Sequence, residues 1–497
     1  MLTAVALAMR TAAMLFGAFI SRSVGAEGVG LYTVIMTVYS FAVTFATSGI
    51  SLTVTRLVAA AIGEGRAERV GSVVRSALIY SLFFGALATA MLFFGADLIG
   101  RAILDDARAA LPLKVLAFSL VPISFGSVIS GYFVGVKRVG FNAAAQVLGQ
   151  MIKICVTVIL VTHFSSRGTE SSVLALCIGI TLTEVIAFFM QALELAYDRY
   201  RYAKGMRSLH SELSDVAKNA LPLAFSAYVR AALLSIEHIL IPKRLREGGE
   251  SAADAYAQYG ILHGMALPLV LYPMTPLSSF SGMLVPEMAG DMSADNRARM
   301  ERIASEAMNM TLVYCAVCAV VLFGFSEELG YAVYGSYEAG RYIATLAPVI
   351  PIMYLDHVTD SILKGVGEQV FSMWVNITDS IISVILVWFL IPRLGILGYA
   401  IVIVVMEAYN FILSFMRLRK RIKFTLSLGR CFALPLCATL LSLLISDSAF
   451  RFGGSTSDVG WLSAKVVFTV AVSVLFISAS GAFITIFNDK KTEKSKV

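Results

Sequence analysis

Residues 131–160 read GYFVGVKRVGFNAAAQVLGQMIKICVTVIL, and residues 361–390 read SILKGVGEQVFSMWVNITDSIISVILVWFL. Laid over each other, Gly135 meets Gly365, Phe141 meets Phe371 and Ile152 meets Ile382. Identity between the copies is weak, but their polar residues share a geometry. In the first, Asn142, Gln146, Gln150, Lys153 and Thr157 fall at i, i+4, i+8, i+11 and i+15, one face of a helix. In the second, Asn376, Asp379, Ser380 and Ser383 do the same. Both segments are otherwise apolar for about 20 residues, the length that crosses a bilayer as a helix. A polar stripe repeated on two such helices predicts a duplicated membrane protein.

The rest of the chain agrees. It is 58% hydrophobic and only 15% charged over 497 residues, with a mean hydropathy of +0.79. Soluble domains carry about 25% charged residues. The apolar runs neither alternate nor stop at ten residues, which argues against barrel strands. The predicted class is an all-α integral membrane protein of about 14 transmembrane helices, in two pseudo-symmetric six-helix lobes plus two C-terminal helices. The expected boundaries are an N-terminal lobe over 1–196, a cytoplasmic linker over 197–218 and a C-terminal lobe over 219–416. A basic cytoplasmic loop follows over 417–429, then helices 13 and 14 within 430–487 and a cytoplasmic tail over 488–497. Residues 2–20 lack the basic flank of a signal peptide and read as the first span. The abrupt start is consistent with a few missing N-terminal residues.

Basic residues orient the spans. With the N-terminus inside, 24 of the 40 Lys and Arg fall in cytoplasmic segments and 10 outside. Both termini are therefore expected in the cytoplasm of a bacterial cytoplasmic-membrane protein. The net charge of +7 reflects this topology, and nucleic acid is not an expected partner. The six cysteines lie in apolar runs and read as buried thiols. No catalytic residue, resident cofactor or metal site is expected. Outer loops are too short for a membrane-embedded glycan polymerase or ligase.

Ionisable residues inside spans are the candidate site. Each costs about 2.5–3.5 kcal/mol at the bilayer centre on insertion scales. Arg10 lies midway along the first helix, Arg56 follows the second, and Arg230 opens the second lobe. Guanidinium binds phosphate in a bidentate fork. Arg230 and Glu237 are seven residues apart, about 10 Å along a helix, too far to pair directly. Glu237, Lys153, Asp356, Asp360 and Asp379 are candidates for a cavity lining or for ion coupling. The competing reading is structural: Glu184, Glu407, Asp360 and Lys364 form interhelical ties, with Asp360 and Lys364 in the favourable acid-first order.

The stretches SRSVGAEGVGLYTV at 21–34 and GISLTVTRLVA at 49–59 resemble the multidrug/oligosaccharidyl-lipid/polysaccharide exporter superfamily. GYFVG at 131–135, AAAQVLGQMIKI at 143–154, SIEHILIPKRL at 235–245, YGILHGMALPLVLYP at 259–273 and ILKGVGEQ at 362–369 resemble its stage V sporulation protein B branch. The resemblance spans nearly the whole chain and is related to lipid II and O-antigen flippases. It implies a V-shaped pair of lobes, a cationic central cavity and a lipid groove at helices 13 and 14. It also implies a substrate: an undecaprenyl-pyrophosphate-linked saccharide flipped by alternating access. Arg10, Arg56 and Arg230 would hold the pyrophosphate. Membrane lipids and envelope-synthesis enzymes are the implied partners, with Na+, H+ or the membrane potential as the driving force. Leu31 and Tyr32 stand where lipid II flippases carry an aspartate, which sets this chain's cargo apart. The alternatives are a cation-coupled multidrug exporter and a non-transporting scaffold for envelope or spore assembly.

Overall fold

The computed structural model describes residues 2–47, 49–164, 168–202, 212–293, 296–450 and 459–480. Most of the expected linker's centre and the whole C-terminal tail lie outside the described residues, as does the side chain of Asn142. Nineteen α-helices and no strands are found among the described residues. The first are α1 (Leu2–Thr47), α2 (Ile50–Gly63), α3 (Ala67–Leu98), α4 (Ala110–Ala117), α5 (Leu120–Gly135), α6 (Val139–Phe164) and α7 (Thr169–Tyr202). Then come α8 (Leu213–Glu247), α9 (Ala252–Tyr259), α10 (Leu267–Val270), α11 (Met274–Ser293), α12 (Arg297–Gly324) and α13 (Ser326–Tyr334). The last are α14 (Tyr337–Leu346), α15 (Ile350–Gly365), α16 (Gln369–Leu394), α17 (Ile396–Arg421), α18 (Leu434–Ala449) and α19 (Val459–Ala479).

The helix expected to end at residue 21 continues without a loop. Gly25, at φ 77° and ψ 171°, breaks α1 in its middle. Only glycine enters that region cheaply, so one residue replaces a connecting loop. Beyond the break α1 runs to Thr47, and the left-handed Gly49 (φ 65°) precedes α2.

The repeat seen in the sequence is kept in the backbone at a constant offset. α5 and α15 begin at 120 and 350 and end at 135 and 365. α6 and α16 span 139–164 and 369–394. The turns between them match bond for bond. Val136 N–H donates to Tyr132 O at 3.0 Å and Val366 N–H to Ile362 O at 3.0 Å. Arg138 N–H donates to Phe133 O at 2.8 Å and Glu368 N–H to Leu363 O at 2.9 Å. Both turns pass through positive φ, at Lys137 (61°) and Gly367 (82°). At the other end of each repeat, Asp106 N–H donates to Gly100 O, and Ser336 N–H to Gly330 O.

Small residues set the helix spacing, as they do where lipid leaves no hydrophobic force between helices. A Cβ on Gly135 would stand 2.9 Å from Val58, and one on Gly365 would stand 2.7 Å from Met288. Val58 and Met288 are themselves equivalent positions of the two copies.

The chain forms two compact units, Ser23–Gly260 and Met1–Arg22 with Ile261–Val497. These do not follow the expected lobe boundaries, because the first helix of each repeat is grouped with the other one. The first unit gains α8. Val216 and Ala220 on α8 join the apolar core built by Ile50, Val54, Val73, Ala77, Ile129 and Phe133. Arg69 reaches Glu212 and Asp215 at 3.0 Å each. Residues Gly30 and Gly260 lie so close to Tyr256 O and Ala26 O that neither could carry a side chain. The second unit gains residues 1–22. Thr11 Oγ1 lies 2.8 Å from Tyr272 OH, and Arg22 Nε donates to Val333 O at 3.1 Å.

By length and composition, ten helices among the described residues can cross a membrane, or twelve if each of two bent pairs is one span. Fourteen were expected, and two differences have physical causes. Residues 7–63 count once although they hold 57 residues and the break at Gly25. The pair α14 and α15 repeats the counted pair at 107–135, but carries Asp356, His357, Asp360 and Lys364.

Candidate functional site

Arg10 on α1, Arg56 on α2 and Arg230 on α8 are exposed, and none has a hydrogen bond or ion pair among the described residues. Several other arginines are paired. Arg108 is held by Asp106 at 2.8 Å and Glu27 at 2.7 Å. Arg138 binds Asp198, which also accepts from Tyr132 OH at 2.6 Å. Arg417 binds Glu368 at 2.8 Å. Arg101, Arg341, Arg393 and Arg430 are exposed and unpaired like the three candidates, but lie at or near helix ends. A guanidinium offers five donors, so Arg10, Arg56 and Arg230 are open to an anion within the long apolar helices. Arg10 belongs to one unit, and Arg56 and Arg230 to the other.

On the polar stripe of α6, Gln146 shares a cavity with Glu184 of α7, and Thr157 lies against Gly179 of α7. Glu184 lies within electrostatic reach of Lys153. Beside them is a cavity of about 250 Å³ lined by Thr47, Ser127, Ser130, Gln146, Glu184 and Gln191, among others. Gln191 Oε1 is enclosed there without a hydrogen-bond partner.

The second unit has the matching stripe on α16, with Ser383 at the place of Lys153, and three acids gather there, one each on α15, α16 and α17. Asp356 on α15 and Asp379 on α16 both act electrostatically on Glu407 of α17. Asp356 meets Ser414, and Asp379 meets Asn410. One oxygen each of Asp356 and Asp379 is enclosed without a partner. Asp360 pairs with Lys364 at 2.5 Å, as the acid-first spacing anticipates. Glu237 is half-buried on α8 and lies near Tyr259, whose hydroxyl is 3.1 Å from His238 Nδ1. Sequence reasoning missed Asn410 and Ser414, because amides and hydroxyls in apolar helices give no charge signal.

It also missed a groove. A cavity of about 460 Å³ lies against α11, α12 and α19, with Leu277, Phe280, Met310, Val317, Val470 and Val474 among its lining residues. Its two hydroxyl-bearing residues, Thr311 and Tyr314, donate to Ala307 O and Pro273 O. Their polarity is consumed internally, so the groove offers only hydrocarbon contact.

Comparison with known proteins places this arrangement. The family model described as polysaccharide biosynthesis protein matches residues 1–292, more than half of the chain, and MatE matches 263–389. Stage V sporulation protein B of Bacillus subtilis (strain 168) is 24% identical over 92% of this chain and 90% of its own length. Lipid II flippase MurJ of the same organism is 22% identical over 74% of this chain and 72% of its own. A solved lipid II flippase MurJ, in an inward closed conformation, superposes with a TM-score of 0.75 at 13% identity, covering 97% of this chain and 99% of that one. An inward-facing multidrug resistance MATE transporter superposes with a TM-score of 0.67 at 16% identity, covering 84% and 98%. This chain belongs to the polysaccharide biosynthesis protein family, in the stage V sporulation protein B-like branch of the multidrug/oligosaccharidyl-lipid/polysaccharide exporter superfamily.

Proposed function

We propose that this protein is a flippase that moves a polyprenyl-pyrophosphate-linked saccharide across the bacterial cytoplasmic membrane by alternating access. Its termini are cytoplasmic and the chain crosses the bilayer fourteen times. The observation that carries the reading is the set of exposed, unpaired arginines, Arg10, Arg56 and Arg230, in helices otherwise built for lipid. A charge there is retained only for a reason, and a pyrophosphate supplies one. The apolar groove beside α19 suits the other end of such a molecule, a long polyprenyl chain. The named activity of the relative MurJ, lipid II flipping, supports the same substrate class. Asp356, Asp379, Glu407, Glu237 and the Lys153–Glu184 neighbourhood are the proposed places where Na+ or H+ couples to transport.

The test is flipping of a fluorescent undecaprenyl-pyrophosphate saccharide in proteoliposomes. Wild type is expected to flip, and Arg10→Ala and Arg230→Ala are each expected to slow it about tenfold or more, the loss of one charge-assisted contact of about 1.5–3 kcal/mol. Equal rates in folded variants would make the arginines structural.

A second reading, cation-coupled drug export, is favoured by the MatE match over residues 263–389 and by the acids of the second unit. It expects efflux of an organic cation that survives Arg10→Ala and is lost in Asp379→Asn.

A further inference from the structure

The repeat supplies an internal comparison for a third cavity. Where α12 ends and α13 and α14 begin lies a space of about 460 Å³ lined by Gly324, Ser326, Glu327, Glu328, Tyr331 and Tyr337. The two tyrosine rings stack at 4.6 Å between centroids, inclined by 19°. Ser326, which lines the space, is only 6% exposed, and its hydroxyl has no partner among the described residues. Neither Glu327 nor Glu328 has an ion pair among the described residues. Two of the nearby cations are committed elsewhere, and Arg341 on α14 has no ion pair among the described residues. Lys465, over the Phe325 ring at 5.2 Å, is bound by Asp447 at 2.6 Å. Arg22 donates to Ala332 O and Val333 O at the far end of α13.

The first repeat builds the same scaffold with its charge neutralised. Gly100, Asp106 and Ala110 make the close approach that Gly330, Ser336 and Gly340 make at the equivalent positions of the second copy. There Asp97, the counterpart of Glu327, is paired with Lys114 at 2.6 Å. The counterpart of Lys114 is Ala344. The second copy lacks that cation and has tyrosines in place of Arg101 and Ala107.

We propose that this cavity binds an organic ammonium group, the chemistry shared by amino sugars and basic amino acids. Two carboxylates supply the charge, and an aromatic face adds cation–π attraction. Ser326 accepts one ammonium hydrogen. The volume lies within the range of small-molecule sites. The inference rests on the proposed function only for who delivers the group: a substituent of the translocated saccharide.

The experiment is calorimetric titration of the detergent-purified full chain with glucosamine, N-acetylglucosamine and L-lysine. Glucosamine is expected to bind saturably, and N-acetylglucosamine, the same ring without the charge, at least tenfold more weakly. Tighter binding of glucosamine than of lysine assigns the sugar as the source, and the reverse order assigns an amino acid. Glu327→Gln with Glu328→Gln should weaken glucosamine at least tenfold. Ala344→Lys should do the same without altering any lining residue, by supplying the cation that pairs with Asp97 in the first repeat. No binding by wild type, equal binding of the two sugars, or unchanged affinity in both variants overturns the proposal. Flipping is read separately, so either reading can fail alone.

Discussion

At the scale of single residues, the two repeats reach one structural end by opposite charges. Arg138 in the first turn binds Asp198 near the end of α7. Glu368, its counterpart in the second turn, binds Arg417 and Arg421 near the end of α17. A tie that survives reversal of its polarity is used for its geometry: it fastens the turn to the last helix of its repeat. The two arginines also act on the acid. Desolvation raises the Glu368 pKa, but bonds from Arg417 and Arg421 outweigh it and hold the carboxyl below the usual range. A depressed folded-state pKa stabilises above the unfolded carboxylate value and loses that effect as pH falls through the folded value. Wild type is thus expected to melt above Glu368→Gln at pH 7, and the gap should close below about pH 4. Thermal melts of the detergent-solubilised pair across pH 7 to 3.5 check this. A gap that does not change with pH would assign the tie to shape alone.

Among helices, the decisive positions are those with no side chain. Gly365 lets α15 lie on α11, where a Cβ would meet Met288 Cβ at 2.7 Å and Val285 O at 3.1 Å. Backbone cannot yield as a flexible side chain can. Gly365→Ala is expected to cost about 1–3 kcal/mol, the range for overpacking, and Gly135→Ala a comparable amount against Val58 and Thr55 O. Gly282, on α11 itself, has nothing within 4 Å, so Gly282→Ala is the control. Melting temperatures lowered in the first two and unchanged in the third bear this out. A fall in all three would mean that α11 tolerates no change.

These glycines also mark how far the sequence was legible. Gly135 over Gly365 disclosed the repeat, because in each copy a close approach to the facing helix leaves no room for a side chain while the surroundings drift. The grouping of α8 with the first unit was not legible. It depends on Val216 and Ala220 packing, and a small apolar residue looks the same whichever core receives it. Arg10, Arg56 and Arg230 stood out because charge contrasts with hydrocarbon. The groove beside α19 did not, since its side chains read like any lipid-facing stripe until three helices bring them together.

For the whole molecule, an amphiphilic cargo needs an anion site and a hydrocarbon path, and the groove is where the second requirement can be isolated. Val470 and Val474 on α19 line it opposite Leu277 and Phe280 of α11 and Met310 of α12. Each buried methylene of a prenyl chain contributes about 0.8 kcal/mol, so blocking the groove should matter in proportion to tail length. Val470→Trp fills it without touching an arginine or an acid. Flipping of an undecaprenyl substrate is expected to fall about tenfold, the effect of losing contact with roughly two methylenes. Flipping of the same head group on a geranyl tail, too short to use the groove, should be nearly unchanged. Both are measured in one batch of proteoliposomes, so the ratio of rates is independent of how much protein is active. If Val470→Trp slows both substrates equally, the groove serves the motion of α19 and not the tail. If neither slows, the prenyl chain takes another route and the groove is packing space between helices.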